Sequence, residues 1–269
     1  QRVRPAARLI HVDVMGTDHR CILRPRQRRD IVDRPAQEPL QHQIKPAPAQ
    51  QDPGLDPFAG HDQPFERRPV PEPADPGEPY GQFSSIDAKL AETGEALGFA
   101  MNAGMYHADR APVGHYVEDG TEVMRVVPNA GPGNFGLLPN GVFCIRDGRA
   151  DVIETLRFVE DAPQCTYATQ SGPMLVIDGA LHPRFLKDST SRYIRNGVGT
   201  TADGRTAVFA ISSDAVTFHE FGRLFRDHLG LPNALFLDGN ISRLHAPTMG
   251  RSDIGRWMGP ILGTVVPKP

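Results

Sequence analysis

The stretch A-T-Q-S-G-P-M-L-V-I-D-G, residues 168–179, decides the reading of this chain. Gln170, Ser171, Gly172 and Pro173 interrupt what would otherwise be one strand, and the second apolar run ends in Asp178-Gly179. A buried strand does not absorb such a break without a reason. Each unpaired polar group costs about 1–3 kcal/mol, and proline cannot donate to a central ladder. The Asp-Gly pair that follows is a signature of a tight hairpin turn.

That turn recurs at Asp119-Gly120, Asp147-Gly148 and Asp203-Gly204, each time between runs rich in Val, Ile and Phe. Four such turns predict antiparallel hairpins. L-G-F-A-M (97–101) reads as a buried strand ending at Asn102, and A-L-F-L-D (234–238) and G-P-I-L-G-T-V-V-P (259–267) read as two more. Two helices are expected beside them. S-S-I-D-A-K-L-A-E-T-G-E-A-L (84–97) opens on serine as an N-cap and sets Ile86, Leu90 and Leu97 on one side. T-F-H-E-F-G-R-L-F-R-D-H-L (217–229) repeats Phe218, Phe221, Leu224, Phe225 and Leu229 at helical spacing before Gly230 stops it. No P-loop occurs, and strand–helix alternation is not sustained. The expectation is an α+β fold, a mostly antiparallel or mixed sheet with a few packed helices, as a single domain over residues 80–269.

Residues 1–79 have another character. Of 26 prolines, 14 fall in residues 1–80, among Gln, Arg and Asp with few apolar runs. This predicts a disordered segment, or one made non-native by an upstream reading-frame error. The net charge of −3 arises in residues 81–269, which hold 17 basic and 20 acidic residues, so a nucleic-acid partner is not expected. No run is long and apolar enough to span a bilayer, and no basic-then-apolar leader opens the chain. Because it begins with Gln1, the expectation is either an unexported protein or one whose true start lies upstream. Cys21, Cys144 and Cys165 permit at most one disulfide and leave the redox compartment open.

Four segments place polar residues beside glycines at the ends of apolar strands, where a backbone can approach a ligand closely. F-A-M-N-A-G-M-Y-H (99–107) delivers Asn102 and turns at Gly104. G-P-G-N-F-G-L-L-P-N-G-V-F (131–143) offers Asn134 and Asn140, the latter suiting an ordinary turn equally well. The third is the Gln170–Pro173 break itself. Ser171 lacks a GxSxG elbow and a partner fixed by spacing, so a serine hydrolase is a minor alternative. L-F-L-D-G-N-I-S-R-L-H-A-P (235–247) brings out Asp238 at the rim of an apolar run, followed by Gly239, Asn240 and Ser242. Burial there can tune a carboxylate for acid–base work. Arg192 and Arg195, in S-T-S-R-Y-I-R-N-G-V-G-T-T (189–201), are two guanidiniums that can grip a phosphate. His107, His115, His182, His219, His228 and His245 form no zinc spacing. No cofactor is expected, although Asp238, Asn240 and nearby carbonyls leave a divalent cation open.

Taken in order, N-A-G-M-Y, L-P-N-G-V-F, T-Q-S-G-P-M-L-V-I-D-G, R-N-G-V-G and L-F-L-D-G-N-I-S resemble the phosphodiester glycosidase family, in particular its short bacterial members, over about residues 80–269. The chain has Asn102-Ala103-Gly104 and Asp238-Gly239-Asn240 where the family usually has Asn-Gly-Gly and Asp-Gly-Gly. The resemblance implies one or more strands ahead of the first helix, work outside the cytoplasm, and hydrolysis of a sugar 1-phosphodiester to a free sugar and a phosphomonoester. It implies Asp238, Asn102 and Gln170 as catalytic residues. Gly104, Ser171, Gly172, Arg192, Arg195, Asn196, Gly239, Asn240 and Ser242 are then substrate contacts. A non-catalytic module that binds a glycan or an envelope polymer at the same strand ends is the alternative.

Overall fold

The computed structural model describes residues 7–13, 20–23, 79–146, 148–238 and 241–268. In chain order the strands are β1 (Ala7–Asp13), β2 (Arg20–Leu23), β3 (Glu95–Asn102), β4 (Tyr116–Glu118), β5 (Thr121–Met124), β6 (Gly141–Arg146), β7 (Arg149–Glu154) and β8 (Tyr167–Ser171). There follow β9 (Met174–Ile177), β10 (Ala180–Leu181), β11 (Asn196–Thr200), β12 (Thr206–Ser212), β13 (Asn233–Phe236), β14 (Leu244–Ala246), β15 (Arg251–Ser252) and β16 (Ile261–Pro267). The helices are α1 (Phe83–Ala91), α2 (Thr155–Asp161) and α3 (Phe218–Arg223). The strands build a six-stranded sheet, β1-β12-β11-β13-β9-β10, and two five-stranded sheets, β15-β14-β3-β16-β2 and β5-β4-β8-β6-β7. The Asp-Gly turns join antiparallel neighbours as expected, β4 to β5, β6 to β7, β9 to β10 and β11 to β12.

Why the strands are apolar on both faces follows from the layering. One face of each sheet points into a shared core and the other is covered by a helix, so period-two alternation disappears from the sequence. In β12, Phe209 and Ile211 join the shared core while Val208 and Ala210 lie under α3. The shared core takes one phenylalanine from each sheet. Phe209 lies 5.0 Å from Phe99 of β3 and 5.7 Å, edge-on, from Phe143 of β6. Helix α1 packs Phe83, Ile86 and Leu90 on the second sheet, and α2 packs Phe158 on the third. At α3, the glycines of R-N-G-V-G make room: a Cβ on Gly199 would lie 2.8 Å from Phe225 and Leu231.

Cys144 and Cys165, 21 residues apart, form a disulfide that ties β6 to the segment ahead of β8. The break at Gln170–Pro173 also has its reason. The chain leaves the third sheet at Ser171 and enters the first at Met174, with a cis bond at Gly172-Pro173.

Two expectations change. The helix expected over 84–97 ends at Ala91, its N-cap is Gln82 with no side-chain bond to the helix amides, and Gly94 at φ 74° turns the chain back into β3. Leu97 reaches the same apolar cluster as Ile86 and Leu90, but from a strand. The second change lies in residues 1–79, read as unstructured: β1 pairs with β12 and β2 with β16, each at the edge of its sheet. These are the leading strands that the resemblance implies. The rest of that segment lies outside the described residues. The second helix forms as expected: Thr217 and Glu220 make a capping box, α3 continues as a wider turn over Leu224–His228, and Gly230 at φ 63° ends it.

Candidate active site

Strand ends from all three sheets meet at one junction. Asn102 closes β3, Ser171 closes β8, Asn196 opens β11, Leu237 and Asp238 follow β13, and Ser242 and Arg243 precede β14. Hydrogen bonds join them. Asn196 Nδ2 donates to the Asn102 carbonyl at 3.1 Å, and the Arg243 amide donates to Asn102 Oδ1 at 2.9 Å. Ser242 Oγ donates to the Ile194 carbonyl at 2.8 Å, and Ser171 Oγ to the Leu237 carbonyl at 2.9 Å. Amid these bonds, Asn102 Nδ2 is buried and has no partner among the described residues. A buried amide donor left unmatched costs about 1–3 kcal/mol, which marks it as a candidate ligand contact.

Asp238 stands at this junction with 8% of its surface exposed, where the apolar β13 gives out. Its charge is felt at Tyr106. Burial pushes the Tyr106 phenol up, Asp238 pushes it further, and Arg110, Arg243 and Arg256 pull the other way, leaving it at about 12. One carboxylate and three guanidiniums therefore act on one phenol, which stays protonated through neutral pH. The ring is held firmly: its hydroxyl donates to the Trp257 carbonyl at 3.2 Å, and a Cβ on Gly259 would lie 2.4 Å from it. Arg110 lies over the same ring, its guanidinium 5.3 Å from the centroid, on a left-handed residue with φ 70°. Arg243 is buried, and burial lowers its pKa. Its donors go to the carbonyls of Asp253 and Arg256 and to Gln82 Oε1, so it fixes the segment that carries Arg256 and Trp257.

A family model described as phosphodiester glycosidase matches residues 96–246, more than half of the chain and the whole of this junction. The chain belongs to the phosphodiester glycosidase family. The uncharacterised protein YigE of Escherichia coli K12 is 34% identical to this chain over 169 residues. The match covers 63% of this chain, which spans 65% of that relative's length. Among solved structures, the catalytic domain of zebrafish N-acetylglucosamine-1-phosphodiester alpha-N-acetylglucosaminidase, auto-inhibited by its pro-peptide, aligns with a TM-score of 0.46 and 12% identity. That alignment covers 68% of this chain and 66% of the zebrafish one.

The residues singled out in this family member from sequence divide into three groups. Asn102, Ser171, Asn196, Asp238 and Ser242 come together at the junction. Ser171 is buried, with its hydroxyl donating to the Leu237 carbonyl. Gly239 and Asn240 lie outside the described residues. The remaining five are engaged within the fold. Gln170 has no atom left for substrate: Oε1 accepts from the amides of His115 and Val127, and Nε2 donates to the Val127 carbonyl and Thr155 Oγ1. Gly104 is needed for packing, since a Cβ there would lie 2.3 Å from the Gln170 carbonyl, and one on Gly172 would lie 2.6 Å from Asn140.

Arg192 and Arg195 do not form a clamp. Arg192 pairs with Glu220 through two bonds, at 2.7 and 3.0 Å, on the surface beside α3. Arg195 is 1% exposed, lies 3.7 Å over the Phe218 ring, and donates to the carbonyls of Val216 and Ser191. Burial lowers its pKa to about 10. Tyr106, Arg110 and Arg256 escaped sequence reasoning. The signal for Tyr106 lay in N-A-G-M-Y itself; Arg110 and Arg256 stand in ordinary polar loops that carry none. No group of three or more His, Cys, Asp or Glu side chains suited to a metal occurs among the described residues, and none of the helices there is long and apolar enough to cross a membrane.

Proposed function

We propose that this protein hydrolyses a sugar 1-phosphodiester at the strand-end junction, releasing the free sugar and a phosphomonoester. One observation carries the reading: within a span matched to the phosphodiester glycosidase family, a nearly buried carboxylate and the guanidiniums of Arg110 and Arg243 act on one phenol beside an unpaired amide donor, and Arg256 joins them from beyond that span. The bond from C1 of the sugar to the phosphate oxygen breaks, its electron pair leaving with phosphate, and water supplies the hydroxyl that C1 gains. Such a transition state carries positive charge on the sugar, which Asp238 balances, and it takes the proton that the water gives up. Arg110 and Arg256 hold the phosphate, in the place that sequence alone gave to Arg192 and Arg195. Asn102 Nδ2 donates to a substrate oxygen, and Tyr106 presents a neutral hydroxyl beside the carboxylate. Because a phosphate leaves readily, one carboxylate with electrostatic positioning is enough.

The test is release of reducing sugar by the full chain from a panel of sugar 1-(alkyl phosphate) diesters, with Asp238→Ala alongside. Release that the variant lowers by about 10²- to 10⁴-fold supports the reading. Unchanged release by the variant removes Asp238 from its role, and no release from folded protein removes the reaction. The Cys144–Cys165 disulfide supports work in an oxidising compartment. Finding both thiols free in protein taken from its native source would count against that.

A further inference from the structure

Beyond the junction, the same end of the six-stranded sheet opens into a second feature. The Ser212 amide donates to the Arg195 carbonyl at 2.8 Å, the Leu237 amide donates to the Asn196 carbonyl at 3.2 Å, and Ala7 of β1 pairs with Ser212. Asp238, Arg195, Ser212 and Arg8 therefore stand at one end of β13, β11, β12 and β1. Three strand spacings separate the first from the last, roughly 14 Å. At the far end lies a cleft of about 830 Å³, walled by Arg8, Ser212 and Ser213 on one side and by Arg243, Arg251 and Asp253 on the other. Ser242 lines it as well, and the same hydroxyl approaches Asn196 Oδ1 at 3.4 Å, so the cleft and the junction share a wall.

The charge of this cleft is opposite to that of the molecule. The chain carries a net charge of −3, yet three guanidiniums face the cleft against the single carboxylate of Asp253. Arg251 is neutralised by Asp253, with bonds at 2.7 and 2.9 Å. Arg243 donates to carbonyls and an amide oxygen, and exposed Arg8 has no ion-pair partner among the described residues, which leaves two positive charges unbalanced. Serine hydroxyl oxygens add acceptors for a hydroxylated chain. Ile254, 85% exposed, and Ile194, 38% exposed, offer apolar surface for its C–H faces. A positive, hydroxyl-lined cleft concentrates anions at its mouth.

The geometry points to this cleft as a subsite for the leaving side of the substrate, a glycan or polyol chain that carries a further phosphate beyond the scissile linkage. The inference rests on the reading of the Asp238 junction as the site of hydrolysis. It makes the natural substrate a phosphate-bearing polymer rather than a small diester.

The test is fluorescence anisotropy of the full chain with a dye-labelled glycerol-phosphate oligomer, against a dye-labelled neutral malto-oligosaccharide of equal length. The expected result is salt-sensitive binding of the oligomer, little binding of the neutral chain, and about tenfold weaker binding in Arg8→Glu and in Ile254→Asp. Arg8→Lys, which keeps the charge, restores binding. Equal affinity for both chains, no binding of the oligomer, or wild-type affinity in both charge variants overturns the proposal. This readout needs no turnover. Inactivity of the full chain on sugar 1-phosphodiesters both small and polymeric would remove the hydrolysis reading while anisotropy still reports on the cleft.

Discussion

Two polar knots, at Gln170 and at Asn102, stand under glycine-bearing strand ends and differ in one respect. At Gln170 four hydrogen bonds fill the amide, and its partners are two backbone amides, a carbonyl and a threonine hydroxyl. At Asn102 the amide oxygen is used and the nitrogen is not. The first knot therefore fixes the loops at 115 and 127 to β8, while the second keeps a donor in reserve beside Asp238. In a buried network, completeness marks a fixture, and a single unmatched donor next to charged groups marks a place for chemistry.

The largest effect that would break this contrast concerns stability. Gln170→Leu strands two amides and a carbonyl at about 1–3 kcal/mol each, so a total loss of about 3 kcal/mol or more is expected from denaturant unfolding. The kcat/KM of the remaining folded protein stays close to wild type. Asn102→Ala is expected to behave in the opposite sense, lowering kcat/KM by about 10²-fold while unfolding shifts by about 1–2 kcal/mol. If the two variants exchange these signatures, the contrast is wrong.

A smaller effect is pH dependence. Burial lowers the pKa of His115, His182 and His245 below 6.5. As pH falls through 6.5 the unfolded chain takes up protons before the folded one, so the stability these neutral imidazoles contribute is present above that pH and is lost progressively below it. A denaturation midpoint that stays flat as pH falls from there would mean the three rings are not buried as described. The smallest effect is expected of Arg192→Ala. It removes a half-exposed ion pair worth about 0.2–1 kcal/mol and leaves turnover as it was, whereas a loss of turnover would return Arg192 to the phosphate.

Much of the fold was legible because its signals are local. The Asp-Gly turns, the capped helix before Gly230 and the break at Gln170–Pro173 each announce a backbone event within a few residues. Residues 84–97 misled because Leu97 continues the apolar spacing of Ile86 and Leu90, and it does so from a strand after Gly94 has reversed the chain. In β1 and β2, pairing along a sheet edge outweighed a composition poor in apolar runs. For the site, the chain indicated which strand ends matter but not where their bonds go. Gln170 is polar beside a glycine, as a ligand contact would be, and only the positions of His115, Val127 and Thr155 reveal it as saturated. Arg192 and Arg195 are three apart in an extended segment, and an odd separation there points side chains to opposite faces. One accordingly meets Glu220 at the surface, and the other lies buried over Phe218. Tyr106 and Arg110 share one segment, and Arg256 joins them from a loop far away in sequence, a convergence that no spacing rule records.

The central claim is that the bond broken lies between C1 and oxygen rather than between phosphorus and oxygen. Hydrolysis of a sugar 1-phosphodiester by the full chain in ¹⁸O-water, followed by phosphorus NMR, tests it directly. The account predicts a phosphomonoester free of ¹⁸O, with the label in the released sugar. An isotope shift on the phosphorus signal would show that water attacked phosphorus, and would contradict it.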